Sequence, residues 1–314
     1  MNAAQLIAWF DAHARDLPWR APGTTPWGVL VSEVMLQQTP VHRVVDLWAE
    51  WLARWPTPSS LAAEPPGTVV RAWGRLGYPR RALRLHSAAT AIAEHHDDVV
   101  PAEVDVLLTL PGIGAYTARA VAAFGYGHRV PVVDTNVRRV VARAVHGLAD
   151  AGAPSSRDLA DVASVLPGTQ AARFSAALME LGAVVCTARR PRCADCPLVG
   201  SCAWVRAGRP AGTVAARPAQ RYAGTDRQVR GLLLDVLRAA VDPVPRARLD
   251  AVWRDAPQRE RCLASLLVDG LVQQTHDGRF ALPGEAPTPA TPYPVMETYR
   301  VFGPPTARYV SITG

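Results

Sequence analysis

Four cysteines lie close together in the second half of the chain, where their thiolates could bind a metal. Cys186, Cys193, Cys196 and Cys202 form the pattern C-x6-C-x2-C-x5-C, whereas the one other cysteine, Cys262, lies far downstream. Such close spacing is typical of four-cysteine zinc or iron–sulfur sites. Disulfides are the alternative, but residues 1–20 contain no apolar signal-peptide core, which favours a cytosolic chain with reduced thiols. The spacing alone does not distinguish zinc from iron.

Two carboxylates are candidates for acid–base chemistry. Glu33 lies in the apolar helical segment S-E-V-M-L-Q-Q-T, where desolvation favours the protonated form and suits a general acid. The alternative is a solvated glutamate near the first turn of the helix, where the helix dipole favours negative charge. Asp134 precedes an arginine-rich helix, so it can serve as an N-cap, as a catalytic carboxylate, or as both.

A glycine turn between two apolar segments is a candidate phosphate-binding site. Pro111, Gly112, Ile113 and Gly114 connect the segment 104–109 to a helix that starts at Ala115. Glycines allow a sharp turn and a close approach to a ligand, while the amides at the start of a helix face a docked phosphate. A plain helix–helix turn explains the same residues equally well, because glycine turns are common.

The basic residues of this chain are all arginine. The sequence contains 34 of them against 27 acidic residues, which gives a net charge of +7. This excess favours a polyanionic partner such as nucleic acid, although an arginine-rich composition alone explains it equally well. Because lysine is absent, only the N-terminal amine could form a Schiff base.

The elements that position these residues are predicted to be mainly helical. Up to residue 185, amphipathic segments separated by proline and glycine predict α-helices over 3–15, 29–38, 41–54, 80–95, 115–126, 136–146 and 171–184. A Gly-, Ala- and Pro-rich linker follows at 208–221. No apolar run approaches the roughly 20 residues that span a bilayer.

The C-terminal part has a different pattern. Three helices at 226–240, 246–254 and 258–268 precede two strands at 271–275 and 279–282, joined by an Asp-Gly turn. This order predicts a small winged-helix-like α+β module over 222–284. The Pro-rich tail at 285–314 is expected to be largely disordered.

Taken together, the motifs of residues 1 to about 205 resemble the A/G-specific adenine DNA glycosylases, the MutY family. They are S-E-V-M-L-Q-Q-T, L-G-Y, L-P-G-I-G-x-Y-T-A, D-x-N-V-R-R and the cysteine pattern. The resemblance implies a helix-hairpin-helix glycosylase domain over 1–207, with a six-helix lobe and a second lobe that holds one 4Fe–4S cluster on the loop 186–202. It also implies a cytoplasmic monomer, associated with the nucleoid and not with a membrane, that acts on double-stranded DNA containing adenine mispairs.

The resemblance assigns roles to individual residues. By matching position, Glu33 protonates the adenine ring and Asp134 stabilises the positively charged sugar, as paired carboxylates do in glycoside hydrolysis. Tyr116 and Asn136 match residues that support this site. The expected DNA contacts are the two positions that probe the duplex, the hairpin with its following helix, and exposed arginines: Gln38, Tyr78, Pro111, Gly112, Ile113, Gly114, Thr117, Arg80, Arg189 and Arg190.

Two other functions remain possible at this point. An endonuclease III-like enzyme also cleaves the DNA strand, but it carries a lysine nucleophile where this chain has Tyr116, so we expect a monofunctional glycosylase. A non-catalytic iron–sulfur regulator accounts for the charge, the cysteines and the C-terminal module. It does not explain why Glu33, Tyr116, Asp134 and Asn136 occur together in matching contexts.

The chain departs from the family pattern in three places. Thr135 follows Asp134 where glycine is usual, and Pro79 follows Tyr78 where a second tyrosine is common, so we expect retained activity with adjusted geometry. Many members carry a Nudix-related C-terminal domain that recognises 8-oxoguanine. Residues 222–284 are too few and too helical for that fold.

Overall fold

The computed structural model describes residues 1–212 and 222–285. All of the expected tail at 285–314 except Glu285, and most of the predicted linker at 208–221, lie outside the described residues. No helix in the described part is both long and apolar enough to span a bilayer. The α-helices are α1 (Ala3–His13), α2 (Pro26–Leu36), α3 (Val45–Arg54), α4 (Pro58–Ala62), α5 (Pro66–Trp73), α6 (Arg80–His95), α7 (Val104–Leu107), α8 (Ala115–Tyr126), α9 (Thr135–Ala144), α10 (Arg157–Val165), α11 (Ala171–Val184), α12 (Ala203–Arg206), α13 (Asp226–Ala239), α14 (Arg246–Asp250) and α15 (Ala256–Val268).

Local sequence signals set several helix ends. Helices α6, α8 and α11 begin and end at the predicted residues. Helix α2 begins three residues earlier than the predicted 29 because the Thr25 side chain accepts a hydrogen bond from the amide of Gly28 and Pro26 occupies the first turn. It ends at Leu36, so Gln38 follows the helix instead of belonging to it. The predicted helix at 41–54 is divided into a 3₁₀ turn, Val41–Arg43, and α3.

The N-terminal part folds as two lobes with separate cores. The first lobe joins α2 to α8 around tryptophans, and the ring centroid of Trp51 lies 4.8 Å from that of Trp55 and 5.5 Å from that of Trp73. The second lobe joins α9, α10 and α11 to the N-terminal helix α1, with Phe174 and Leu178 fully buried between them. The second lobe therefore contains both the start of the chain and the helices that follow α8, while the segment between them forms the first lobe.

A buried acid fixes the N-terminal segment to the second lobe. Glu180 of α11 is fully buried and accepts hydrogen bonds from Arg15 at 2.7 and 2.9 Å and from Arg20 at 2.9 Å. Burial opposes the charged carboxylate, but these arginine contacts outweigh it and lower the pKa of Glu180. The pairing holds the segment between α1 and α2 in place.

The C-terminal module contains α13, α14, α15 and a two-stranded antiparallel sheet, β1 (Gln273–Gln274) and β2 (Phe280–Ala281). A bridge between Val244 and Phe280 adds a third contact to the sheet. The strands are shorter than the predicted 271–275 and 279–282. Leucines of all three helices form the core, and Val70 of α5 is buried in the same core. The module therefore shares its apolar interior with the first lobe.

Candidate active site

Glu33 lies in the last third of α2, with only 6% of its surface exposed. Burial raises its pKa to about 7, since desolvation disfavours the charged form. A hydrogen bond from Tyr116 lowers the pKa, the negative charge of Asp134 raises it, and the positive charge of Arg20 lowers it. The alternative of a solvated glutamate in the first turn is therefore wrong. The side chain can hold a proton near neutral pH.

Tyr116 enters the site from the first turn of α8, whose start is set by the glycine hairpin. Its pKa is raised well above the usual value by burial and by the negative charges of Glu33 and Asp134. The ring hydroxyl therefore stays protonated and donates its hydrogen bond to Glu33. This contact fixes the position of the acid against the second helix of the hairpin.

Asp134 is the N-cap of α9 and also faces Glu33. Its Oδ1 atom accepts a hydrogen bond from the amide of Val137 at 2.7 Å, and its Oδ2 atom accepts one from Nδ2 of Asn136 at 2.8 Å. Burial raises the pKa of Asp134, while these two hydrogen bonds and Arg139 lower it. Asp134 therefore caps α9 and also lies near Glu33, so the two predicted roles are compatible. Thr135 does not adopt a positive φ, so its side chain causes no backbone strain there.

Arg139 is a residue of this site that the sequence analysis did not single out. Its Nη2 atom donates to Oδ1 of Asn136 at 2.7 Å and to the carbonyl of Gly182 at 2.6 Å, and its Nε atom donates to the carbonyl of Cys186 at 2.7 Å. Arg139 thus joins the Asp134–Asn136 pair to the cysteine loop. Its place in D-x-N-V-R-R was the available signal. Gly182 permits this approach, because a Cβ there would lie 2.6 Å from Cβ of Asn136.

Arg20 is the second missed residue. Its Nη2 atom is bound by Glu180, whereas its Nη1 atom is buried without a hydrogen-bond partner among the described residues. Its positive charge acts on Glu33. Arg20 therefore places a positive charge near Glu33 while it is held by Glu180 of the second lobe. No local sequence motif around Arg20 predicted this role.

Gln38 and Tyr78 lie at two exposed turns, one after α2 and one before α6. Both have left-handed backbones, with φ of 55° for Gln38 and 48° for Tyr78. Left-handed residues other than glycine are uncommon, and strained backbone positions cluster at functional sites. The Tyr78 side chain remains 43% exposed, so both positions are accessible to a ligand that covers this face.

The buried guanidinium of Arg81 connects these two turns. Its Nη1 atom donates to the carbonyl of Gln37 at 2.6 Å, and its Nη2 atom donates to the carbonyl of Gly77 and to Oγ1 of Thr39 at 2.9 Å each. Two further bonds reach the carbonyls that end α2. Arg81 is 6% exposed, and burial lowers its pKa to about 10. One side chain therefore determines the spacing between the two turns.

The hairpin residues divide into anchoring and exposed ones. Ile113 is buried and its amide donates to the carbonyl of Leu110, while Thr117 is 2% exposed and its hydroxyl accepts from Gln37. The side chain of Thr117 therefore acts inside the fold, which differs from the DNA contact that we expected. Pro111, Gly112 and Gly114 are exposed. Gly112 has a φ of 76°, and a Cβ there would lie 2.6 Å from Cβ of Arg84 on α6.

The four cysteines of the second lobe line one small cavity. None of the four thiols forms a disulfide. In the described part of the chain, no group of three His, Cys, Asp or Glu side chains is close enough to bind one metal ion. Burial raises the pKa of Cys196 to about 11, with a further contribution from the other three cysteines. Arg143 donates to Sγ of Cys186 at 3.4 Å and to the carbonyls of the loop. Arg189 and Arg190 are exposed on the same loop.

Family comparisons agree with this architecture. Residues 31–156 match the model of the HhH-GPD superfamily of base excision DNA repair proteins, and residues 186–202 match the iron–sulfur binding domain of endonuclease III. The chain is 66% identical over 290 residues to the adenine DNA glycosylase of Mycolicibacterium smegmatis, covering 92% of this chain and 98% of that protein. It belongs to the adenine DNA glycosylase family.

Other adenine DNA glycosylases extend the comparison. The enzyme of Mycobacterium tuberculosis is 64% identical and spans 91% of this chain and 94% of its own length. The human enzyme is 38% identical, over 63% of this chain and 38% of its own length. The similarity to the mycobacterial glycosylases therefore includes the C-terminal module, whereas the matched share of this chain is smaller for the human glycosylase.

Solved structures confirm the predicted helix-hairpin-helix fold. A thermostable thymine-DNA glycosylase superposes with a TM-score of 0.60 at 23% identity, over 65% of this chain and 95% of that one. An endonuclease III trapped on DNA superposes with a TM-score of 0.56 at 21% identity, over 66% and 94% of the two chains. In this chain, the candidates Glu33 and Tyr116 of the first lobe lie close to Asp134 of the second.

In an adenine DNA glycosylase, the cysteine quartet is a 4Fe–4S site, as predicted. The four thiols fit this cofactor, because they line one cavity and every ligand position is occupied by a cysteine. Zinc and disulfides were the alternatives, and the matched iron–sulfur domain decides against both. Arg139 and Arg143 of α9 donate hydrogen bonds to backbone carbonyls of the cysteine loop, and a cluster bound by the four thiolates would hold this loop in shape beside α9.

Proposed function

We propose that this protein is a monofunctional adenine glycosylase of base excision repair that removes adenine paired with 8-oxoguanine or guanine. One observation carries the proposal: Glu33 and Tyr116 of the first lobe converge with Asp134 and Asn136 of the second, and burial raises the pKa of Glu33 to about 7. A protonated acid and a nearby anion are the two groups that N-glycoside hydrolysis needs. Residues 1–207 carry the reaction, and 222–284 form a separate module.

The mechanism follows from these positions. Glu33 donates its proton to a ring nitrogen of adenine, so the bond between C1′ and N9 breaks with the electron pair leaving on a neutral base. Asp134 stabilises the positive charge on the sugar, and Asn136 holds the carboxylate toward it. Water then adds to C1′ and loses a proton to the Glu33 carboxylate, which leaves an abasic site and restores the acid. Tyr116 keeps the Glu33 carboxyl oriented throughout.

The adenine must leave the base stack, because its glycosidic bond is inaccessible inside a duplex. Gln38 and Tyr78, on the two exposed turns, are placed to fill the space that the base leaves. The exposed hairpin glycines and the arginines at 80, 189 and 190 contact phosphates on either side. The protein acts as a monomer on chromosomal DNA in the cytoplasm.

The decisive experiment is single-turnover incubation with duplexes that contain adenine opposite 8-oxoguanine, guanine or thymine. We expect abasic product opposite 8-oxoguanine and guanine, detected as a strand break only after alkali. The adenine–thymine duplex is the control and should stay intact. Efficient strand cleavage without alkali would contradict a monofunctional enzyme, and the absence of abasic product from all three duplexes would contradict adenine excision.

Binding of several phosphates predicts a strong dependence on salt. The logarithm of the association constant should fall with that of the salt concentration, with a slope of about −0.9 for each neutralised phosphate. Replacing Arg189 with glutamine should reduce the steepness by about one phosphate, because its side chain is exposed on the cysteine loop. An affinity that does not vary with salt would exclude these contacts.

A further inference from the structure

Two side-chain contacts join α2 to the first turn of α8 beside the candidate active site. Tyr116 of α8 donates a hydrogen bond to Glu33. The next residue, Thr117, accepts one from Gln37, with 3.3 Å between Nε2 of the glutamine and Oγ1 of the threonine. Because Glu33 and Gln37 are four residues apart, they lie on the same face of α2. The general acid and Gln37 therefore contact neighbouring residues of one helical turn.

The backbone of Gln37 is held by contacts of its own. Gln37 is the residue at which α2 ends, and its carbonyl accepts a hydrogen bond from Nη1 of Arg81 at 2.6 Å. The hydroxyl of Thr39 donates to the same carbonyl at 3.3 Å. The side chain of Gln37 is half-buried. It therefore extends from a fixed point of the main chain and spans the gap between α2 and α8.

Thr117 is a buried anchor for this contact. Its side chain is 2% exposed, and among the described residues Gln37 provides the hydrogen bond that its hydroxyl accepts. A buried hydroxyl without a partner is costly, so the two side chains are favoured to stay together. Helix α8 starts directly after Gly114 of the hairpin. A shift of the hairpin would move Tyr116 and Thr117 together, and the bond to Gln37 opposes such a shift.

We propose that Gln37 is a positioning residue for adenine excision: by binding Thr117, it holds the first turn of α8, and with it the Tyr116 hydroxyl, against Glu33. The inference rests on the proposed function, in which Glu33 protonates adenine. A phosphate bound at the hairpin fixes the start of α8, and the Gln37–Thr117 bond relates that position to the helix that carries the acid. Without this bond, Tyr116 would be free to turn away, and the Glu33 carboxyl would lose the partner that orients it.

The test removes the contact from either side, in the full-length holoenzyme, with substitutions of similar volume. Gln37→Met deletes the amide, and Thr117→Val deletes the hydroxyl. We expect each to lower the single-turnover rate of excision opposite 8-oxoguanine about 10- to 100-fold, because a small displacement of a reacting group costs this much. The Kd for a duplex with uncleavable 2′-fluoro-deoxyadenosine should be unchanged. Thr117→Ser keeps the hydroxyl and should restore most of the rate. Wild-type rates in Gln37→Met and Thr117→Val overturn the proposal.

A double-mutant cycle shows whether the two residues act through each other. The variant with both substitutions should be about as slow as the slower single variant, because the same contact is removed only once. Rate losses that multiply, or a loss of DNA affinity confined to Gln37→Met, would place the action of Gln37 elsewhere and overturn the proposal. Gln5→Met and Thr90→Val are the matched controls and should excise at the wild-type rate. Gln5 is exposed on α1, and the Thr90 hydroxyl donates to the carbonyl of His86 within α6.

The pH profile separates positioning of the acid from a general loss of stability. The hydrogen bond from Tyr116 lowers the pKa of Glu33, so weakening it should move the alkaline fall of kcat/KM to higher pH in Gln37→Met. A slower variant with an unchanged profile would not act through Glu33 and overturns the proposal.

Hydrogen exchange at residues 115–118 gives a readout that does not depend on excision. Exchange there should be faster in Gln37→Met and in Thr117→Val, because the first turn of α8 loses its anchor. Wild-type exchange in both variants overturns the proposal. Failure of the wild type to excise adenine would reject the proposed function and leave this result readable.

Discussion

At the scale of single residues, burial decides what Glu33 can do. A glutamate in water has a pKa of about 4.3 and is ionised at neutral pH. In this site the pKa rises to about 7 because the surroundings exclude water and Asp134 lies nearby. Tyr116 opposes the rise but orients the carboxyl group. The general acid is therefore made by its environment, and the same residue on the surface would not carry the proton.

This pKa predicts a pH dependence. The protonated form of Glu33 is the active one, so kcat/KM for adenine excision should be constant below pH 7 and fall as the pH rises through about 7. Glu33→Gln keeps the shape but removes the proton, and its rate should be about 10²- to 10⁴-fold lower with binding retained. Initial rates at low substrate concentration between pH 5 and 9 give kcat/KM, and single-turnover rates compare the variant with the wild type. An unchanged rate in the variant would remove Glu33 from the mechanism.

The two roles of Asp134 can also be separated. Asparagine caps helices as well as aspartate does, so Asp134→Asn should keep the stability of α9 and lose the excision rate. Asp134→Ala removes the cap as well, and we expect it to lower the free energy of unfolding by a further ~0.5–2 kcal/mol. Denaturant unfolding and single-turnover rates are measured on both variants. Equal stability of the two would contradict the capping role.

At the scale of elements, α2 and α6 are joined through one side chain. Arg81 is buried without an acidic partner among its hydrogen bonds and binds carbonyl and hydroxyl oxygens on both turns. Its fork-shaped guanidinium can reach acceptors in different directions, which a lysine ammonium cannot do with the same geometry. The turns that carry Gln38 and Tyr78 therefore keep a fixed spacing.

This predicts that Arg81→Lys disturbs DNA binding and stability together. Loss of even one hydrogen bond to a charged group costs about 1.5–3 kcal/mol, so the unfolding midpoint should fall. Affinity for the mispaired duplex should also fall, since both probing turns lose their support. Arg254→Lys is the control, because Arg254 is exposed and belongs to neither turn, and it should leave stability and affinity unchanged. A stable, tightly binding Arg81→Lys would show that the turns are held by other contacts.

At the scale of the whole molecule, the candidate active site forms only because the two lobes are docked, since Glu33 and Asp134 come from different lobes. Glu33 lies on α2, which packs in the first core. Asp134 is the N-cap of α9, which packs in the second core together with the N-terminal helix α1. The module adds a third core that includes Val70. Close approach at this last interface depends on Gly67, since a Cβ there would lie 2.7 Å from the carbonyl oxygen of Pro283 and from Cγ of Glu285.

Gly67→Ala should therefore loosen the module. On an isolated helix this change would be favourable by up to about 1 kcal/mol, but the added methyl group displaces the segment that ends the module. We expect faster hydrogen exchange in residues 222–285, with the first lobe unchanged. Gly168→Ala is the control, because nothing lies within 4 Å of a Cβ at that position. Unchanged exchange in the module would mean that the contact adjusts without cost.

The sequence by itself determined the parts that depend on neighbours along the chain. The cysteine spacing, the glycine hairpin and the bounds of α6, α8 and α11 follow from short-range patterns, and the combined motifs identified the family. The sequence also carries the capping signal of α2, since Thr25 accepts a hydrogen bond from the amide of Gly28 and Pro26 occupies the first turn. The predicted strands of the module are longer than the observed ones, because a strand of two residues shows too little alternation of apolar and polar residues to distinguish it from a loop.

Only the tertiary structure decided how these parts work together. The pKa of Glu33 is set by water exclusion, and the roles of Arg20, Arg81 and Arg139 depend on acceptors that lie far away in sequence. Desolvation and long-range hydrogen bonds leave no periodic trace in a sequence. For the same reason, the stacking of Arg227 on Tyr78 could not be predicted from the sequence, because it depends on how the module packs against α5 and α6.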